Sequence, residues 1–225
     1  MPRIAMVAAL EREVRPLVKR WRISEKQHSG RNFRFFETEE AVLVCGGIGA
    51  EAARRAAEAL IVLYRPAIVY SVGYAGSLDP AIGIGQLMRP ARVVDVRDGS
   101  TVPMAAGEGV LVTTDSVASP AQKRTLRESF QAQIVDMEAA AVGRAAEARG
   151  VEFGVIKAVS DAFDFELPAS GSFVDSEGRF RETQFALFVS LRPWLWRRAM
   201  ELARNSRTAT QALCGALQEL INTKS

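Results

Sequence analysis

The sequence predicts an α/β protein whose central sheet is mixed but mostly parallel and is covered by helices on both faces, in three layers. Three observations predict this. Apolar runs of strand length alternate with amphipathic segments of helix length, small residues follow several of the runs, and acids stand where two strands end. A length of 225 residues with 48% hydrophobic content suits one domain over 1–225. A helical C-terminal cap is expected from about residue 180.

The N-terminal half alternates between strands and helices. The sequence predicts a strand over 3–9, a helix over 10–21, a hairpin of strands 33–37 and 41–45, a helix over 51–63 and a strand over 67–72. The hairpin is expected to turn at Glu39 and Glu40. Helices of this length between strands favour parallel pairing in the sheet.

The C-terminal half continues the alternation and then becomes helical. Strands are predicted over 87–96, 110–113, 134–135 and 151–159, and helices over 121–130, 138–147, 182–202 and 208–221. Because no strand separates the last two helices, they form the expected cap.

Composition makes several functional classes improbable. The formal charge is only +3 and the arginines are spread along the chain, so nucleic-acid binding is not expected. Two cysteines and one histidine predict no metal site, and no other cofactor is expected. No apolar run reaches the ~18 residues of a membrane span. The N-terminus lacks the pattern of a signal peptide, so a cytoplasmic protein is expected.

Two glycine-bearing segments follow predicted strands. Residues 47–52 spell G-x-G-x-x-A before a helix, which is typical of dinucleotide binding, yet no acid closes the next strand to hold a ribose. The same residues could form a plain tight turn, or a turn that contacts part of a smaller ligand. Residues 73–77 (GYAGS) offer backbone N–H groups to ribose or phosphate oxygens, or form a simple turn.

Carboxylates end two of the predicted strands. Asp136 lies between the strand 134–135 and the helix 138–147, and Asp161 follows the strand 151–159. Ligands of open α/β sheets bind outside the carboxyl ends of the strands. Two acids delivered there by neighbouring strands are expected to converge on one small molecule, where one acid can bind hydroxyls and the other can move a proton.

Taken in order, these segments resemble the purine nucleoside phosphorylase and nucleosidase superfamily, nearest its methylthioadenosine/S-adenosylhomocysteine nucleosidase branch. The resemblance covers about residues 3–165. Its most specific parts are D-M-E-A-A-A at 136–141 and V-S-D at 159–161, and the segments 9–14, 47–49 and 72–76 also carry it. The C-terminal part is more similar to hopanoid-associated phosphorylase-like members.

The resemblance implies an enzyme that cleaves the N-ribosidic bond of a purine nucleoside, such as methylthioadenosine or another 5′-substituted adenosine, with water. Asp161 matches the acid that protonates N7 of the base, and Ser160 would hold its carboxyl. Glu138 matches the acid that binds the ribose hydroxyls, with Met137 packed against the sugar. Glu13 matches the acid that orients the attacking water.

The resemblance also implies further substrate contacts and a homo-oligomer. These contacts are Gly73, Tyr74, Ala75 and Gly76 near the water or a phosphate, Ile48 and Leu10 near the sugar and its 5′ substituent, and Val117 and Ala118 beside the purine. Val117 stands where the nucleosidases carry an aromatic residue that stacks on the base. This exchange suggests a substrate larger or more apolar than methylthioadenosine.

The chemistry itself supports the acid roles. Breaking a ribosidic C–N bond builds positive charge on the sugar and negative charge on the base. We expect apolar burial beside Phe163 and Phe165 to keep Asp161 protonated for donation. Three alternatives stay open: phosphorolysis, a non-catalytic nucleoside-binding protein and a nicotinamide-linked oxidoreductase. Phosphorolysis would need a cationic clamp, for which the candidates are Arg3, Arg12, Arg54 and Arg97.

Overall fold

The computed structural model describes residues 4–165, 178 and 192–223, without the side chains of residues 193 and 194. The strands of this part are β1 (Ile4–Ala8), β2 (Arg22–His28), β3 (Arg31–Glu37), β4 (Ala41–Cys45), β5 (Ile68–Ser77), β6 (Leu87–Met88), β7 (Arg92–Asp95), β8 (Thr101–Pro103), β9 (Val110–Thr113), β10 (Ile134–Asp136) and β11 (Glu152–Asp161). Its helices are α1 (Glu11–Val18), α2 (Ala50–Tyr64), α3 (Pro120–Phe130), α4 (Ala139–Glu147) and α5 (Pro193–Thr223).

The strands form one mixed sheet. The order is β2-β3-β4-β1-β5-β10-β9-β7-β8, and β11 pairs with both β5 and β6. The central strand β5 runs parallel to β1 and, over most of its length, parallel to β11. Antiparallel pairing dominates at the edges, as in the β2-β3-β4 meander and the β7-β8 pair. The predicted mixed sheet is therefore confirmed.

Helices cover both faces of the sheet, which confirms the three layers. On one face α1 and α5 enclose a core that includes Met6, Leu43 and Leu217. On the other face α2 and α4 pack over Val7 of β1, and Leu60 of α2 lies in the same core. Neighbouring residues of β1 enter opposite cores because side chains alternate along a strand. Among the described helices, none has both the length and the apolar character needed to cross a bilayer.

The structure corrects several predicted boundaries. The segment 73–77 is not a turn, because β5 runs on through it, pairing with β11 as far as Gly76 and with β10 at Gly76 and Ser77. The predicted strand 87–96 is interrupted around Pro90 and yields the short strands β6 and β7. The strands β2 and β8 were not predicted, since β2 (RISEKQH) is largely polar.

The C-terminal cap also differs from its prediction. Within the described residues α5 is a single helix of 31 residues that spans the predicted break between 202 and 208. The predicted start of the first cap helix, 182–191, lies outside the described residues. Apolar residues of α5 such as Leu213 and Leu217 are fully buried against the sheet, and this packing favours one continuous helix.

Candidate active site

Two of the predicted acids lie against glycines in the carboxyl-terminal part of β5. Gly73 has a φ of +141°, and a β-carbon added there would lie 2.5 Å from Glu13 Oε2. A β-carbon added at Gly76 would lie 2.7 Å from Asp161 Oδ2. Glycine is therefore required at both positions for the acids to approach the strand. The two glycines are three residues apart, which is about 10 Å along the strand.

Glu13, the acid beside Gly73, is buried. It lies on α1 with 5% of its surface exposed, and its Oε2 has no hydrogen-bond partner among the described residues. Burial, reinforced by the charge of Glu138, raises the pKa of Glu13 to about 8, although Lys157 and the backbone N–H of Tyr74 act in the opposite direction. Such a carboxyl can gain or lose a proton near neutral pH.

Glu138 lies at the entry to α4 and is held by two backbone groups. The N–H of Gly49 donates to its Oε1 at 2.8 Å, and the N–H of Met137 donates to its Oε2 at 3.3 Å. Burial and the neighbouring Asp136 raise the pKa of Glu138 to about 7. Gly49 precedes α2, so the chain's own carboxylate occupies the helix N-terminus that a dinucleotide pyrophosphate would need.

A buried ion pair lies beneath these two acids. Lys157 Nζ, in β11, is 2.8 Å from Asp136 Oδ2, and each side chain is at most 2% exposed. Asp136 also accepts from Thr113 Oγ1 at 2.7 Å and from the N–H of Ala139 at 2.9 Å. Burial alone would lower the pKa of Lys157, but Asp136 and Glu138 raise it above its ordinary value. Asp136 is thus occupied within the protein.

Asp161 lies in a polar environment, and here the expectation of an apolar one is wrong. Its Oδ1 accepts from Ser160 Oγ at 2.9 Å, its Oδ2 accepts from Lys123 Nζ at 2.5 Å, and the side chain is 24% exposed. The groups that contact the carboxyl are thus an ammonium and a hydroxyl.

Sequence reasoning missed both buried lysines, although each left a signal. Lys157 interrupts the apolar run of β11, and Lys123 shares the inward face of α3 with Leu126 at helical spacing. Lysine is rarely buried without a partner. A lysine in a predicted apolar face therefore indicates a carboxylate nearby, here Asp136 and Asp161.

The prediction that neighbouring strands carry Asp136 and Asp161 is wrong. The strands β10 and β11, which carry Asp136 and Asp161, each pair with β5 and do not pair with each other. The two acids still lie at the same end of the sheet, because β10 pairs with β5 at Gly76 and Ser77 and Asp161 of β11 also pairs with Gly76.

Other predicted contacts are distributed around this end of the sheet. The side chain of Tyr74 does not face the predicted water. Its hydroxyl is 2.5 Å from Thr210 Oγ1 and donates to Ser206 O of α5, so the side chain connects the sheet to the helix and only the backbone of Tyr74 faces Glu13.

The remaining predicted contacts lie close to the acids in sequence or bind other backbone groups. Leu10 directly precedes α1, and Met137 directly precedes Glu138. The carbonyl of Ala75 accepts from Ser160, and the N–H of Ile48 donates to Gly178 O at 2.7 Å.

The predicted purine-reading segment is open on one side. Val117 is 53% exposed, whereas Ala118 is buried and lines a cavity of about 420 Å³ together with Ser116 and Arg97. No cluster of three or more potential metal-binding side chains is present in the described part of the chain.

An α/β sheet whose strand ends gather buried acids around glycines defines a protein built to bind a small polar ligand. Over residues 3–107 and 97–191 the chain matches the family described as the phosphorylase superfamily, and it belongs to that superfamily. It is 27% identical to the 5′-methylthioadenosine/S-adenosylhomocysteine nucleosidase of Marinomonas sp. (strain MWYL1) over 206 residues, which cover 74% of this chain and 89% of that protein. It is 23% identical to the aminodeoxyfutalosine nucleosidase of Campylobacter jejuni over 208 residues, 74% of this chain and 91% of that protein.

Solved structures have the same fold. The 5′-methylthioadenosine nucleosidase of Arabidopsis thaliana in its apo form superimposes with a TM-score of 0.76 at 21% identity, covering 99% of this chain and 96% of that chain. The futalosine hydrolase of Helicobacter pylori gives a TM-score of 0.68 at 18% identity, covering 96% of this chain and 97% of that chain. At these identities the likeness establishes the fold, and the reaction is argued from the site.

Proposed function

We propose that this protein is a nucleosidase that cleaves the N-ribosidic bond of a purine nucleoside with water. The observation that carries the proposal is the placement of Glu13 and Asp161 against Gly73 and Gly76 of one strand. Similarity to proteins named as nucleosidases supports the same reaction. A 5′-substituted adenosine such as 5′-methylthioadenosine is the proposed substrate class.

The sugar and the base are assigned to different acids. Glu138, held by Gly49 and Met137, would accept hydrogen bonds from the vicinal hydroxyls of the ribose. Met137 would pack against the sugar beside it. Asp161 would pass a proton to N7 of the purine, so that the base departs neutral. A proton transfer of this kind typically contributes about 10²–10⁴-fold to a rate.

Water is favoured over phosphate as the acceptor. Glu13 Oε2, which has no hydrogen-bond partner among the described residues, can bind a water molecule and remove its proton, whereas an ionised Glu13 beside Glu138 would repel a phosphate. Two of the four arginines that could form a cationic clamp for phosphate are already paired with acids. Arg54 binds Glu51 and Glu58, and Arg97 binds the buried Asp95.

Two further expectations accompany the proposed reaction. A homo-oligomer and a cytoplasmic location stay predictions from the sequence and its family resemblance. Size-exclusion chromatography with light scattering tests the first, where an elution mass of 24.5 kDa would contradict self-association. Fractionation of the source cells tests the second.

The direct experiment incubates the protein with a nucleoside panel, with and without phosphate, and follows the free base by chromatography. The panel includes adenosine, inosine and 5′-methylthioadenosine. Free base at equal rates in both buffers is the expected result. Free base that appears only with phosphate would identify a phosphorylase, and ligand binding without any cleavage would identify a binding protein.

The control variant for this experiment is Asp161→Asn, which keeps the shape of the side chain and removes the acid. It should lose turnover by about 10²–10⁴-fold while still binding the nucleoside. An Asp161→Asn protein that cleaves the purine substrate at the wild-type rate would remove the proposed acid.

A further inference from the structure

Lys123 is a buried cation that the proposed reaction has not yet used. A capping box fixes the first turn of α3: Ser119 N–H donates to Gln122 Oε1 at 2.8 Å, and Gln122 N–H donates to Ser119 Oγ at 3.3 Å. Lys123 follows in the same turn with a side chain only 2% exposed. Its ammonium therefore approaches the end of β11 from inside the protein.

The ammonium of Lys123 contacts the carboxyl group of Asp161 directly. Lys123 Nζ donates to Asp161 Oδ2 at 2.5 Å and to the carbonyl of Ala162 at 2.6 Å, while Ser160 Oγ donates to Oδ1. Both carboxyl oxygens of Asp161 therefore accept hydrogen bonds, one of them from an ammonium. The N–H groups of Lys123 are thus directed at the carboxyl group that is proposed to serve the base.

We infer that Lys123 supplies the proton that the departing base receives, through Asp161, an inference that rests on the proposed nucleosidase function. As the C1′–N9 bond breaks, its electron pair moves onto the base. The proton passes from Lys123 Nζ to Asp161 Oδ2 and on to N7 of the purine. Lys123 ends as a neutral amine, Asp161 returns to a carboxylate and the base leaves neutral. Water then adds to C1′ and gives a proton to Glu13, and solvent reprotonates the lysine.

Lys123 acts in this scheme through Asp161 and not on the nucleoside, so it is a positioning and proton-supplying residue. Two features make the route short. A β-carbon at Gly76 would lie only 2.7 Å from Asp161 Oδ2, so this oxygen faces the strand end where the substrate is proposed to bind. The same oxygen holds the ammonium at 2.5 Å. One carboxylate oxygen can therefore receive and release the proton.

The test compares Lys123→Met and Lys123→Arg with wild type on two kinds of riboside. Adenosine and 5′-methylthioadenosine need a proton on the leaving base, whereas p-nitrophenyl riboside releases a phenolate that needs none. Both variants should lose about 10²-fold or more in kcat on the nucleosides with KM within a few fold, and both should keep p-nitrophenyl riboside cleavage within a few fold of wild type. Arginine does not rescue because a guanidinium does not give up its proton in proteins.

The controls separate a proton role from a structural one. Arg124→Met removes the neighbouring, exposed cation of α3 and should leave both reactions unchanged. Full nucleoside cleavage by Lys123→Arg would show that only the charge matters, and equal loss on both substrates would show a structural role; either result overturns the inference. Should Lys123→Met fail to fold in a thermal unfolding assay, the arginine variant decides. A wild-type protein that cleaves no riboside would overturn the proposed function and this inference with it.

Discussion

Replacing Glu13 with glutamine should stabilise the fold at neutral pH while it removes activity. The pKa of Glu13 is raised from 4.5 to about 8, mainly by burial. A carboxyl with a raised pKa contributes stability that is fully present below pH 4.5, and this contribution is lost as pH rises towards 8, because the unfolded chain releases its proton first. Glutamine carries no such proton and has no such loss.

The size of the effect follows from the same pKa. Each pH unit between the unfolded and folded values corresponds to about 1.4 kcal/mol, so ionisation of Glu13 removes about 3 kcal/mol from the wild type between pH 4.5 and pH 7. The difference in unfolding free energy between Glu13→Gln and wild type should therefore grow by about 3 kcal/mol over this interval. Groups that do not interact with Glu13 cancel in this difference, whereas its interactions with Glu138 and Lys157 are part of it.

The assay is urea denaturation followed by fluorescence at several pH values. The matched control is Glu11→Gln on the same helix, whose side chain is 40% exposed, and a surface change of this kind typically alters stability by less than about 0.5 kcal/mol. In parallel, wild-type kcat/KM should rise with pH until about 8 as Glu13 ionises to accept a proton from water. A stability difference that is flat from pH 4.5 to pH 7 would refute the reasoning.

Three other predictions follow from the contacts of the site. Lys157→Met leaves Asp136 as an uncompensated buried charge, so chemical denaturation should show a loss of about 3–5 kcal/mol, and a loss below 1 kcal/mol would contradict the buried pair. Gly76→Ala should displace the Asp161 carboxylate and reduce kcat at least tenfold, whereas Gly83→Ala, with nothing within 4 Å, should leave kcat unchanged. Glu138→Gln should raise KM for the ribonucleoside more than it raises KM for a 2′,3′-dideoxynucleoside, because the sugar of the second substrate lacks the hydroxyls.

The sequence is sufficient for the fold class and for the acids because both depend on local patterns. The alternation of apolar runs predicts β1, α1, α2 and β11 to within a few residues, and acids at strand ends predict where Glu138 and Asp161 lie. The partners of those acids depend on packing between distant segments. Lys123 is 38 residues from Asp161, and no local pattern states that α3 directs its lysine to the end of β11.

The course of β5 shows the same limit. Its glycines favour a turn by local propensity, yet pairing with both β11 and β10 keeps residues 73–77 extended. The glycines serve instead to make room for Glu13 and Asp161. Local composition therefore predicts a site at this end of the sheet, while the reason for that composition becomes visible only when the acids are placed against the strand.

A crystal structure of Asp161→Asn soaked with 5′-methylthioadenosine tests the central claim most directly. We expect the ribose hydroxyls within hydrogen-bond distance of Glu138 and N7 of the purine beside residue 161, with a water molecule on Glu13. A nucleoside bound with its base or its sugar turned away from these residues, while the fold is intact, would contradict the claim that this end of the sheet performs the cleavage.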